Sequence, residues 1–257
     1  MQNPAQIILE KAILPTHLSS SEIRGQIAAS IRRRAILSAR TFQEPYLIRM
    51  RDVLAQVASG QTDDATARTA LKSWLDATGY LPDAPGTLTD LASTKRVQLI
   101  LDTQRTMANN VALIQGEDPA ARAEFPAWEL VSIGLRKRPR GDWPERWRQA
   151  GESTGWEGAA QGTRMAARKD SPIWQALGDG VGGYTDTLGN PYPPFAFGSS
   201  YNWMPIDKAQ AATLGLTGTP AQPTATLDPG QQEIADALKK FGPGFTADLL
   251  AELEDVG

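Results

Sequence analysis

The sequence predicts a mainly α protein carrying a small α+β unit, and three observations lead to that class. Apolar residues recur at helical intervals through most of the first half, most regularly between 89 and 116. Ser, Asp and Gly stand where those helices would begin and end. Beyond residue 126 the chain becomes rich in Trp, Pro and Gly and holds one stretch of alternating hydrophobicity, AWELVSIG at 127–134.

Taken in order, Ser19 with Glu22 has capping-box spacing. The following SSEIRGQIAASIRRRAILSA reads as one helix with Ile23, Ile27, Ile31 and Leu37 near one face, weakened at Gly25. A second helix runs from about Pro45 to Ala58, with Tyr46, Ile48, Leu54 and Val57 as its apolar members. A third follows Thr62, where Asp63 and Asp64 suit the positive helix start, and stops at Gly79. Pro82, Pro85 and Gly86 mark a connection. From Thr89 a long helix carries Leu91, Val97, Ile100, Leu101, Met107, Val111 and Ile114 to a stop at Gly116. At 1.5 Å per residue, about 25 residues would span nearly 40 Å.

In the second half, DWPERWRQAG reads as a short helix with Asp142 as cap and Pro144 just inside, and SPIWQALG repeats this with Ser171 and Pro172. DTLGNPYPPFAFGSS has too much Pro and Gly for a regular element and reads as a structured loop. Residues 217–230 have linker composition, and two short helices are expected near 230–240 and 245–254.

Composition narrows the chemistry. The chain has 257 residues, 41% hydrophobic and 21% charged, enough apolar side chain for a packed core. Its net charge of −3 is uneven: residues 1–60 hold eight Lys and Arg against four Asp and Glu, whereas 171–257 hold three against ten. A basic amino-terminal part and an acidic tail can face different partners. There is no Cys, which excludes disulfides, thiolate metal sites and a Cys nucleophile, and the single His17 reads as a loop or cap residue. No apolar run reaches membrane-span length, and MQNPAQIILEKAILP lacks the features of a signal peptide, so cytoplasmic synthesis without export is expected. No phosphate-binding glycine motif occurs, VGGY at 181–184 being a turn. Asp63 with Asp64, Glu117 with Asp118, and Glu252 with Glu254 and Asp255 read more simply as a helix start, a loop and a solvated end. The expectation is therefore a non-enzyme with no catalytic residue, no metal and no cofactor.

Two basic stretches are the interaction candidates. Arg32, Arg33 and Arg34 fan around a helix and read either as a solvated side or as a contact. Arg136, Lys137, Arg138, Arg140, Arg146 and Arg148 interleave with Trp143 and Trp147 and could meet DNA phosphates, an acidic protein face, or the chain's own acidic tail. Trp128, Trp143, Trp147, Trp156, Trp174 and Trp203 are expected to build the core of the second half. The loop residues Pro193, Pro194, Phe195, Phe197 and Gly198 form either a rigid core plug or a preformed docking edge.

Three stretches in succession carry a resemblance: Arg96 to Ala108 with R-x-x-L-I-L-D-T-x-x-x-M-A, then PAWELVSIGLRKRPRGDWPERWRQAG at 126–151 followed by DSPIWQALG, then LGNPYPPFAFGSS at 188–200. In this order they resemble the phage Mu F-like minor head proteins of the wider head-morphogenesis group, across roughly residues 90–205. That family's loop is close to P-P-N-G-F-G-C-R-C. Here the paired prolines and a Phe-Gly step remain, while Cys and the common His are absent, which removes any metal or redox role. The resemblance implies a minor head protein of a phage or prophage, present in several copies near the portal vertex. Its implied partners are the portal or major capsid protein, with packaged double-stranded DNA as a further contact and no membrane. A DNA-binding module that protects or paces the packaged genome is the alternative, and a carboxylate- or metal-dependent hydrolase the third reading. The expected division is a helical region 1–86, a head-morphogenesis core 87–216, and a linker with a short acidic helical tail 217–257.

Overall fold

The computed structural model describes residues 3–134, 141–156, 164–221, 223 and 231–241. It is mainly α with a small α+β unit. Eleven helices and five short strands lie among the described residues, in two compact units: Asn3–Ala108 with Thr226–Gly257, and Asn109–Ala225.

The amino-terminal unit begins with α1 (Pro4–Leu9), β1 (Ala12–Ile13), α2 (Ser20–Gln26), α3 (Ala29–Arg34) and β2 (Ala35–Ile36). The Ser19–Glu22 capping box forms and starts α2. The single helix expected beyond it does not form. Ile27 takes an extended backbone (φ −98°, ψ 120°) and ends α2, and Ala35–Ile36 leave the helical path to pair in parallel with Ala12–Ile13. Leu14, Ile23, Ile27 and Ala35 thereby form one buried cluster, with Ile31 and Leu37 against its edge. Burial decides the break: an extended Ile27 is 1% exposed, and the apolar gain exceeds the few helical bonds lost beside a weakening Gly25.

Next come α4 (Glu44–Ala58), α5 (Asp64–Ala77) and α6 (Thr94–Gly116). The buried face of α4 is Tyr46, Leu47, Met50, Val53, Leu54 and Val57. Ile48 falls about 100° from Leu47 and is exposed, contrary to its expected inward place. Asp63 caps α5 through the Thr66 amide at 2.8 Å. The start of α6 lies five residues later than read, because Asp90 organises a turn first: its carboxylate accepts from the Gly86 and Ala92 amides, both at 2.8 Å. Its 23 residues give about 35 Å of helix.

The second unit holds the end of α6, then α7 (Pro119–Glu124), β3 (Ala127–Ser132), α8 (Trp143–Thr154), β4 (Ala166–Arg168), α9 (Ile173–Asp179), β5 (Tyr201–Ile206) and α10 (Lys208–Thr213). The sheet order is β4-β3-β5, antiparallel throughout, with Trp128 opposite Ala167 and Pro205. Only β3 is legible in the sequence. β4 is three residues long and β5 contains Pro205, so neither has a propensity signal, and both exist because β3 offers them a ladder.

Finally, α11 (Gln231–Phe241) belongs to the amino-terminal unit and sets Phe241 against the Leu14–Ile27 cluster. The helix expected at 245–254 lies outside the described residues.

Candidate functional site

The second unit gathers the tryptophans around β3. Trp128 stacks on Trp203 at 3.7 Å between ring centres and 12° between planes, because positions 128 and 203 lie on the same face of paired strands. Trp174 from α9 meets Trp128 at 6.2 Å and Trp203 at 5.4 Å, both edge-on, and Trp147 from α8 meets Trp174 at 5.4 Å. Into this set the loop 188–200 inserts Phe195, which is fully buried and lies 6.2 Å from Trp174 and 6.4 Å from Trp143.

The loop is held by its own polar groups. The Pro193–Pro194 peptide is cis. Asn110 on α6 donates to the Pro193 carbonyl and to Asn202 Oδ1, both at 3.0 Å. Asn190 donates to the Pro194 carbonyl at 3.0 Å, and the Leu188 amide donates to the Phe195 carbonyl at 2.9 Å. Pro193, Pro194 and Phe195 are therefore a core plug, while Phe197 is 37% exposed. Gly198 adopts φ 61°, a left-handed backbone that turns the chain toward β5.

Charge is also committed internally. The sequence places Arg146 among the partner contacts, and the structure corrects this. It is 4% exposed, donates to Asp142 at 2.7 Å and Asp186 at 2.9 Å, and lies 4.0 Å over the Tyr184 ring. Burial opposes its charge, but the hydrogen bonds to Asp186 and Asp142 outweigh it and raise its pKa. For the same reason Asp142 occupies the cap position of α8 without capping it. Arg148 pairs with Glu145 at 2.6 Å and with Glu152 on its own helix face. Arg136, Lys137, Arg138 and Arg140 lie outside the described residues. Arg32, Arg33 and Arg34 lie on α3, all half-buried.

Besides Arg146 and Asp90, three buried charged residues among those described were not expected from sequence to be buried. Lys169 is 2% exposed, paired with Glu117 and 5.3 Å over Trp128. Burial holds its pKa below the usual lysine value despite that pair. Arg96 is 6% exposed and donates to Ser38 Oγ and the Ala39 carbonyl at 2.6 Å, Thr41 Oγ1 at 2.8 Å, and the Leu88 and Thr89 carbonyls at 3.1 Å. Lys11 is 4% exposed and donates to Gln104 Oε1 at 2.6 Å. One signal could have found Arg96: Arg96, Thr103 and Asn110, all buried, recur every seven residues and so share one stripe of α6.

The edge of β5 is closed to another strand. The Ile133 amide donates to the Ser200 carbonyl at 2.7 Å, so by alternation residues 201, 203 and 205 direct their backbone groups away from β3. The Tyr201 amide already donates to Ser199 Oγ at 3.1 Å, the Trp203 amide donates to Asn202 Oδ1 at 2.8 Å, and Pro205 has no N–H. This removes the donors an added strand would need. A pocket of about 300 Å³ lies between Trp156, Leu216, Pro172 and β4. Its charged lining is spent on Arg168–Asp170 at 2.8 Å and on the Thr217 carbonyl and Ala221 amide.

No family model, curated protein or solved structure matches the chain. Among the described residues, no helix is long and apolar enough to cross a membrane.

Proposed function

We propose that this chain is a structural component of a phage or prophage head, a minor head protein that acts through contacts with portal or major capsid protein. One observation supports the reading above others. Of the stretches whose order carries the resemblance, 126–151 with 170–178 and 188–200, though not Arg96 to Ala108, supply Trp128, Trp143, Trp147, Trp174 and Phe195 to a single aromatic core. Segments tens of residues apart that share one core pack as a unit, which gives the succession of these stretches a physical basis. A core so enclosed suits a rigid assembly part whose contacts are made by its outer surface.

The test is mass spectrometry of DNA-filled heads purified from cells carrying the gene. The chain should co-purify with the heads at a few copies each, and heads free of it while the lysate contains it would refute the proposal. Replacing Arg136, Arg138 and Arg140 together by Ser should weaken incorporation without lowering the melting temperature.

A further inference from the structure

We propose that the apolar face beside α3 is a docking site for a second copy of this chain, whose own carboxy-terminal helix takes the place of α11. The inference does not rest on the head-protein reading, since it needs only neighbouring copies.

The occupant follows from what the face already holds. Ile234, Ala237, Leu238 and Phe241 stand at i, i+3, i+4 and i+7 of α11, the spacing by which an amphipathic helix anchors on an apolar surface. Phe241 packs against the cluster of Leu14, Ile23, Ile27 and Ala35, and α11 packs against α3. Charge matches as well, because α3 carries Arg32, Arg33 and Arg34 while α11 carries Glu233 and Asp236. The face therefore suits this helix in apolar pattern and in charge, and every copy of the chain brings the same helix.

The helix is also lightly held. Ala237 is buried, Ile234 and Phe241 are half-buried, and Leu238 is 37% exposed. Its 11 residues fall short of the roughly 12–15 that a lone helix needs in water, so its helicity depends on the face it covers. Such an element detaches at a small fraction of the free energy of global unfolding. Its tether leaves room for exchange. The Ala221 amide is anchored on Asp170 at 2.9 Å, and residues 222–230 separate that anchor from Gln231. Extended, they reach at most about 30 Å, which keeps the helix near its own face at an effective concentration of about 1 mM. A neighbouring copy held alongside presents its helix at a similar concentration. Because the contacts made are identical, the exchange costs little.

The experiment is intermolecular paramagnetic broadening between full chains. The sequence has no Cys, so Lys239→Cys gives one spin-label position, on an exposed residue of α11. That chain is mixed with isotope-labelled wild type, and Lys72→Cys carrying the same label is the control for random collision. Amides of residues 29–37 in the isotope-labelled chain should broaden, increasingly as the total concentration approaches about 1 mM. Ala237→Asp in the spin-labelled chain should abolish the effect with its melting temperature close to wild type, and the milder Phe241→Ala should reduce it severalfold. A synthetic peptide of residues 229–245 should suppress it. No broadening beyond the control at about 1 mM would overturn the exchange, as would broadening confined to other surfaces or unchanged by Ala237→Asp. A melting temperature lowered by Ala237→Asp as far as by Phe195→Ala would make α11 a fixed part of the core. Equal suppression by an unrelated amphipathic peptide of the same charge would overturn the second copy as occupant and assign the face to helices of other proteins.

Discussion

Replacing Lys11 by Met should stabilise the protein at pH 6 and lose that advantage as the pH rises. Lys11 is buried beside Arg34, and its side chain donates a hydrogen bond to Gln104. Burial first, and Arg34 second, push its pKa from 10.5 down to about 7. Between those values the unfolded chain binds more protons than the folded one, so stability rises with pH through that window. Below about pH 7 both states are charged and the native state carries the full cost of a buried ammonium, about 5 kcal/mol as an upper bound. Methionine fills a similar volume without charge, but leaves the Gln104 oxygen without its donor at a cost of about 1–3 kcal/mol. The net gain at pH 6 is then about 2–4 kcal/mol, turning into a small deficit above pH 10.5. Urea unfolding of both proteins between pH 6 and 10.5 measures it, and titrations common to the two cancel in the difference. A difference that stays constant with pH would refute the reasoning, since it would mean that the Lys11 ammonium is solvated in the folded protein.

Phe195→Ala should cost about 3–5 kcal/mol in urea unfolding, because the ring is fully buried among Trp143, Trp174 and Trp203; wild-type stability would make the loop dispensable to the core. Gly178→Ala should destabilise by calorimetry although alanine is the better helix former by about 1 kcal/mol, since its Cβ would lie 1.9 Å from the Asn190 carbonyl oxygen; a raised melting temperature would contradict this close approach. Arg146→Met should cost about 1–3 kcal/mol by taking its hydrogen bonds from the partly exposed Asp142 and Asp186 carboxylates, and Asp186→Asn less, because Arg146 keeps Asp142; a neutral Arg146→Met would return that residue to the surface.

Where local signals are strong, sequence and structure coincide. Ser19–Glu22, Asp63 before α5, the long apolar stripe of α6 and the alternation of β3 each concern residues a few positions apart, whose geometry follows from helical or strand periodicity alone. The same reasoning fails where long-range burial outweighs propensity. Ile23, Ile27 and Ile31 do share one apolar cluster, as their spacing suggests, but a break and a parallel strand pair bring them there instead of one continuous helix. Arg146, Lys11 and Lys169 are indistinguishable in sequence from solvated charges. Their burial depends on partners 40 to 93 positions away, as with Asp186 and Gln104. Composition and period thus determine the elements and the class of fold, because those depend on each residue's own backbone and nearest neighbours. Which charges sink into the interior and which remain for a partner is decided only by tertiary structure, because desolvation is a property of everything packed around a group and not of the group itself.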